Sequence, residues 1–242
     1  MTTVVFGGSG FVGLNIVEAA LSRGDGVTVF DRTAMPAPAA EAFAKLPGRL
    51  EVVEGDVTDP QDVARAFAHG ADTVVYGAAV TGGLARDREA PEATLGVNLT
   101  GFLHALRAAR DAGAGRIVNL SSAGAFGDAA FRHDVLTEET PADPVSLYSM
   151  TKFSSERMAA RMADVWGIDA LSVRLSGVFG RWERKTSVRD TPSPQHQLLA
   201  AARDNRPARI PRRDNRDWIY APDVARAVLA LLDAPQLNHR LY

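Results

Sequence analysis

Val5-Phe6-Gly7-Gly8-Ser9-Gly10-Phe11-Val12-Gly13 sets glycines at positions 7, 10 and 13 between a short apolar run and a segment of helical period. The context carries more than the spacing. A glycine turn at the end of a strand lets the backbone approach a pyrophosphate with no Cβ in the way, and the helix that follows offers free N–H groups and a partial positive charge. An ordinary strand-to-helix turn has the same spacing, so the flanking sequence decides between the two. Asp31 ends the next apolar run, 18 residues after Gly13. A carboxylate there accepts bonds from the adenosine ribose hydroxyls and repels a 2′-phosphate. NAD is therefore expected in preference to NADP, with Arg32 as the neighbour able to pair with a phosphate instead. Asp31 as a plain turn cap is the alternative. Gly7, Gly10, Phe11, Val12, Gly13, Asp31 and Arg32 are thus candidate dinucleotide contacts.

Farther out, short apolar runs alternate with helical segments, the mark of a parallel sheet covered by helices. Strands are predicted over Thr3–Phe6, Val27–Phe30, Leu50–Val53, Thr73–Tyr76, Arg116–Leu120 and Ala170–Arg174. Helices are predicted over Gly10–Arg23, Pro60–His69, Pro91–Ala112, Val145–Trp166, Gln195–Arg203 and, with Pro222 at its first turn, Asp223–Leu232. Arg216–Tyr220 reads as a strand returning to the sheet, and Leu241-Tyr242 as the first residues of another. The fold class is α/β, a doubly wound parallel sheet with a small C-terminal substrate-binding lobe. Residues 1–175, rejoined by 214–234, form the dinucleotide domain; 176–213 and 235–242 form the lobe. The Ala/Pro stretch Met35–Ala40 is too short for a linker.

Two further sites belong to the cofactor pattern. Asp56, with Val57 beside it, follows the third strand, where it can accept from an adenine amino group, while Asp59 is placed to cap the next helix. Gly77, Ala78 and Ala79 follow the fourth strand, where small side chains let a flat cofactor lie against the backbone. Close helix packing is the alternative there.

The 242 residues are 46% hydrophobic and 23% charged, enough to bury a sizeable core. Charge is balanced at a net −2, which marks no nucleic-acid surface. Without cysteine there is no disulfide, thiolate metal site or cysteine nucleophile. No metal site is expected. No charged leader and no apolar run near the ~20 residues of a membrane helix is visible, so a cytoplasmic protein with a small-molecule substrate is expected.

Tyr148-Ser149-Met150-Thr151-Lys152 puts a phenol and an ammonium on one helix face, one turn apart. A tyrosine titrates near ~10, too high for a base at neutral pH, and an adjacent ammonium stabilises its phenolate. Such a pair also arises on helix surfaces with no function. Ser122 follows the fifth strand, at the sheet edge where ligands bind in open α/β sheets, and can hydrogen-bond the same substrate oxygen. A turn-forming serine is the alternative.

Together these residues resemble the extended short-chain dehydrogenase/reductase superfamily, in particular its NAD-dependent epimerase/dehydratase family. The likeness rests on Gly7 to Gly13, Asp31, Asp56-Val57, Gly77-Ala78-Ala79, Val97-Asn98, Ser121-Ser122-Ala123, Tyr148 with Lys152, and Arg216-Asp217-Trp218-Ile219-Tyr220 with Asp223-Val224-Ala225. It implies a Rossmann-type fold with bound NAD and hydride transfer at a secondary alcohol of a sugar acid or nucleotide sugar. Tyr148 is then the acid/base, Lys152 its activator and a nicotinamide-ribose contact, and Ser122 the holder of the reacting oxygen. Asn98 supports the lysine, and the helices carrying Asn98 and Tyr148 form a homodimer interface. Thr81, Ser122, Arg184 and Arg216 are the candidate substrate contacts.

The chain departs from that family in three places. Related 4,6-dehydratases carry an Asp-Glu pair after the catalytic hydroxyl residue, where this chain has Ala123 and Gly124, which argues against dehydration. Epimerising reductases of the group often use cysteine, absent here. The stretch Trp182 to Asp190 matches no nucleotide-sugar pocket, and its bases either clamp a carboxylate or phosphate or form a solvated loop. Relatives also continue for tens of residues past the position of Tyr242, so an incomplete lobe is expected. Net dehydrogenation and 4-epimerisation both remain open. So does a non-catalytic NAD-binding regulator, although such proteins usually lose the Tyr/Lys pair.

Overall fold

The alternation of side chains in Val4-Val5-Phe6 decides how the two faces of the sheet are filled: Val4 and Phe6 join one buried cluster, Val5 the other. The structure is a computed structural model and describes residues 1–186, 192–208 and 217–242. Strands β1 (Thr2–Phe6), β2 (Gly26–Asp31), β3 (Arg49–Glu54), β4 (Thr73–Tyr76), β5 (Arg116–Ser122) and β6 (Ala170–Leu175) form one sheet in the order β3-β2-β1-β4-β5-β6, every pair parallel. The order reverses between β1 and β4, which opens a crevice at the carboxyl ends of these strands. This is a Rossmann-type doubly wound sheet.

One face is covered by α1 (Phe11–Ser22), α2 (Ala37–Phe43) and α9 (Ala221–Asp233), with Leu14, Val17, Phe43 and Val228 in its core. The other is covered by α3 (Pro60–Arg65), α6 (Phe102–Asp111) and α7 (Leu147–Trp166), packed around Phe6, Phe30, Tyr76 and Phe102. Asp59 caps α3, its carboxylate accepting from Gln61 N–H at 2.8 Å, as its sequence position predicts. Short helices α4 (Leu84–Glu89) and α5 (Pro91–Leu95) precede α6, and α8 (Pro194–Arg203) precedes α9. A separate pair, β7 (Gly177–Phe179) with β8 (Trp218–Tyr220), runs parallel beyond β6. Leu241-Tyr242 lies beside β6, where Tyr242 exchanges backbone bonds with Ser172 and Arg174.

Three elements differ from the sequence expectation. Of the strand expected over Arg216–Tyr220 to return to the sheet, Trp218–Tyr220 is β8, which pairs with β7 apart from the six-stranded sheet, while Arg216 lies outside the described residues. The single helix expected over Pro91–Ala112 is α5, a π turn (Gly96–Gly101) and α6. The cause lies in the packing of that turn. The Tyr76 hydroxyl donates to the Val97 carbonyl at 2.6 Å, and a Cβ on Gly101 would sit 2.8 Å from that same oxygen atom of Tyr76. The Ala/Pro stretch runs into α2, which buries Ala39 and Phe43 against the sheet.

Candidate active site

The glycine turn is held from both sides. Gly7 adopts φ +75°, and an added Cβ would lie 2.6 Å from the Ala78 nitrogen, so the turn and the loop after β4 meet backbone to backbone. Gly13 meets the Gly7 carbonyl even more closely, which seats α1 under the turn. Gly10 at the start of α1 carries no side chain of its own to cap the helix. Such a Cβ-free cradle fits a pyrophosphate.

Asp31 is tied to that cradle: one carboxylate oxygen accepts from Ser9 N–H at 3.1 Å, the other from the Thr33 amide and hydroxyl, each at 3.0 Å. It therefore caps its own turn and fixes the glycine turn at once. A cleft of about 150 Å³ runs beside it, lined by Asp31, Arg32, Asp56, Val57, Gly77, Ala78 and Ala79. Asp56 accepts from the Thr58 amide and hydroxyl, and Arg32 approaches its other oxygen at 3.9 Å.

A second, larger cleft of about 480 Å³ opens at the carboxyl ends of β4, β5 and β6. Tyr148, Lys152, Ser122, Thr81 and Val12 line it, and it shares Gly77 and Ala79 with the first. The two clefts together form one groove across the reversal of the sheet. Helix α7 begins at Ser146, whose hydroxyl accepts from Ser149 N–H at 3.1 Å while Ser149 Oγ accepts from Ser146 N–H at 3.0 Å. That reciprocal cap places Tyr148 in the first turn and Lys152 in the next.

Lys152 is buried. Its Nζ donates to the Leu120 carbonyl at 2.7 Å and lies 5.8 Å from the Tyr148 ring centre. Burial lowers its pKa from 10.5 to about 8, against the opposing charge of Glu156. Ser122 Oγ accepts from Gly124 N–H at 3.0 Å, which leaves its own hydrogen for a ligand. An added Cβ on Gly124 would lie 3.2 Å from Ser122 Oγ and 4.0 Å from the Tyr148 ring, so position 124 faces the reacting groups and carries no side chain there.

Asn98 sits in the π turn and is fully engaged as scaffold. Its Oδ1 accepts from Val80 N–H at 2.9 Å, and its Nδ2 donates to Val80 O at 3.2 Å and to Thr151 Oγ1 at 2.9 Å. It thus ties the loop after β4 to α7 and is not among the lining residues of either cleft.

Arg184, expected as a substrate contact, is turned the other way. Its guanidinium donates to Ser9 O at 2.6 Å, within Coulombic reach of Asp31, and desolvation lowers its pKa. The segment before it is docked on α1: Asn15 donates to Arg181 O at 2.8 Å, Trp182 Nε1 donates to Glu18 at 2.8 Å, and Trp182 packs edge-on to Phe43. Arg181 to Arg184 thus lie over the glycine turn. Glu183 is buried and closes the return, accepting from the Ser193 amide at 2.6 Å and hydroxyl at 2.7 Å, which sets Pro192, Ser193 and Pro194 on the larger cleft. Arg216 lies outside the described residues.

Glu183, Ser193, Glu156 and Arg174 were not singled out from the sequence. A Lys followed four residues later by a Glu is the ordinary pattern of a solvated helix face, and only the sheet packed against it shows the pair to be buried.

Two connected clefts at the reversal of a doubly wound sheet, one beside a glycine turn, are the arrangement of a dinucleotide-dependent class of protein, and the comparisons place the chain within it. It matches the NAD dependent epimerase/dehydratase family over residues 3–241 and belongs to that family. It is 34% identical to a 3-beta-hydroxysteroid dehydrogenase of Mycolicibacterium neoaurum over 187 residues, 75% of this chain and 48% of that protein. It is 30% identical to a dTDP-glucose 4,6-dehydratase of Mycobacterium tuberculosis over 242 residues, 98% of this chain and 70% of that one. The chain therefore spans about half the length of the first and two-thirds or more of the second. The NAD complex of Thermus thermophilus UDP-glucose 4-epimerase superposes with a TM-score of 0.80 at 26% identity, covering 98% of this chain and 76% of that chain.

Proposed function

We propose that this chain oxidises a secondary alcohol of a sugar acid or nucleotide sugar, with Tyr148 as the acid/base at the reacting oxygen. The observation that carries the reading is the convergence of Tyr148, Lys152 and Ser122 on one cleft that is continuous, through Gly77 and Ala79, with the groove beside Asp31. NAD, when bound, supplies the nicotinamide that accepts the hydride from the carbinol carbon. The protein manages the proton. Ser122 donates its free hydroxyl hydrogen to the substrate oxygen and fixes its position. Tyr148 takes the alcohol proton as the carbonyl forms, and the Lys152 ammonium stabilises the phenolate that receives it. The Lys152 bond to Leu120 O fixes the ammonium against β5, within reach of the phenol.

Asp31 favours NAD, since a carboxylate at the end of β2 beside the glycine turn repels a 2′-phosphate. Arg32 and Arg184 temper that preference from either side of it. Expulsion of water through acids following Ser122 is disfavoured despite the dehydratase relative, because Ala123 and Gly124 hold no proton donor or acceptor side chain. Among the described residues no helix is long and apolar enough to cross a membrane, and no group of His, Cys, Asp or Glu could hold a metal. A cytoplasmic homodimer built on α6 and α7 accords with the family resemblance.

The test is a panel of sugar acids, nucleotide sugars and a 3β-hydroxysteroid, each supplied with NAD and with NADP. Reduced cofactor and product stereochemistry are both read. Net NADH identifies a dehydrogenase, and isomer exchange without it an epimerase. Turnover of the steroid alone would overturn the substrate class proposed here, and faster turnover with NADP would overturn the cofactor preference.

A further inference from the structure

The face of β5 that meets α7 is polar where a buried strand is normally apolar. Asn119 Nδ2 donates to Ser155 Oγ at 3.0 Å and to Ser172 Oγ at 3.1 Å, and Ser121 Oγ donates to Glu156 at 2.5 Å. Glu156 lies one helical turn beyond Lys152, and its carboxylate also takes both arms of Arg174 from β6, at 2.9 and 2.7 Å. The Arg174 guanidinium in turn stacks 4.3 Å over the Phe126 ring. The Glu156 and Arg174 side chains are only 5% and 7% exposed. A buried ion pair of this kind returns little stability for its desolvation cost, so its presence next to a reactive ammonium calls for another account.

From this geometry we infer that Glu156 is a positioning residue for the reaction: its anion, held in place by Arg174 and Ser121, keeps Lys152 cationic at the sheet edge. The inference rests on the reading of Lys152 as the ammonium that serves Tyr148. A lysine inside protein tends to shed its proton, and a fixed anion one helical turn away holds it charged more strongly than the neutral carbonyl of Leu120 does alone. The charged and titratable groups facing the pair are Tyr148 and Lys152 from α7 itself and Arg174 from β6. β5 presents Asn119 and Ser121, the π turn presents Asn98, and the turn after β5 presents the Phe126 ring, all uncharged. Among these, Glu156 is the charge that raises the Lys152 pKa against burial.

Arg174 has a different part. It fixes the carboxylate rotamer with two parallel bonds, at 2.9 and 2.7 Å. Ser121 supplies the remaining bond and links this carboxylate to Ser122, its neighbour in the chain. A shift of Glu156 therefore disturbs the ammonium and the serine together.

The chain has three lysines, Lys45, Lys152 and Lys185, so protein labelled with ¹³C at lysine Cε gives few signals, and that of Lys152 is identified by its loss in Lys152→Met. In wild type its titration midpoint is expected near 8. In Glu156→Gln it falls by about one pH unit, a tenfold loss of proton affinity, whereas Glu156→Asp, which keeps the charge, stays close to wild type. Should the unpaired Arg174 prevent folding, Glu156→Gln combined with Arg174→Met removes both charges at similar volume, and the midpoint falls there as well. An unmoved midpoint in the folded variant overturns the inference. No substrate enters this measurement, so its outcome is separate from that of Tyr148→Phe, which tests the acid/base reading by itself.

Discussion

Lys152 shows how one residue trades stability for reactivity. Its native pKa of about 8 lies below the 10.5 of an unfolded lysine, so the folded chain releases this proton first as the pH rises. Between those two values the unfolded state holds more protons, and stability climbs with pH. Below about 8 the folded chain bears the full cost of the buried charge, on the order of 3 kcal/mol. Lys152→Met is therefore expected to lose the rise in stability between pH 8 and 10.5 and to be at least as stable as wild type at pH 7. Urea unfolding of both proteins across that range checks it, and parallel profiles would show that the ammonium is not desolvated. The residues of this cleft were legible in unequal degree. Tyr148, Lys152 and Ser122 stand out because their types and spacing serve proton transfer at a strand end. Glu156 and Arg174 do not, because neither its own sequence neighbourhood nor its charge tells a buried glutamate from an exposed one. Arg184 was visible as a base, but the direction it faces depends on how Trp182 docks against α1 and Phe43.

At the scale of elements, the strands were readable because a parallel sheet covered on both faces needs near-continuous apolar runs, and β1 and β4 have them. The helix broken at Gly96–Gly101 was not, since a π turn has the same local periodicity as its flanks and arises from Tyr76 and Val57 packed against it. Helix α2 was hidden by its prolines and alanines, which give no amphipathic stripe. The glycine turn itself follows from its sequence so directly that one methyl group tests it. Gly7→Ala forces an L side chain into positive φ with its Cβ 2.6 Å from the Ala78 nitrogen. We expect a loss of about 2 kcal/mol or more in urea unfolding, together with weakened NAD binding. Stability and NAD affinity both equal to wild type would mean that the turn and the loop after β4 are not in contact.

Across the whole molecule, function follows from where the strand order reverses. The connections after β1 and β4 leave to opposite faces of the sheet, the glycine turn and Asp31 occupy one side of the crevice between them, and β5 and α7 bring Ser122, Tyr148 and Lys152 to the other. After β7, residues Arg181 to Arg184 fold back over the glycine turn and are fastened at Glu18, Ser9 and Ser193, so that Arg184, expected at the substrate, lies against that turn instead. That return could not be read from the chain, because its anchors are 164 and 175 residues distant in sequence from Trp182 and Arg184. On the proposed mechanism Tyr148 moves the proton in this shared groove. Tyr148→Phe removes one oxygen and keeps the ring, and its turnover of whichever panel compound the wild type converts is the direct measurement. A fall of at least about 100-fold with NAD affinity unchanged is expected. Turnover at the wild-type rate would show that another group carries the proton.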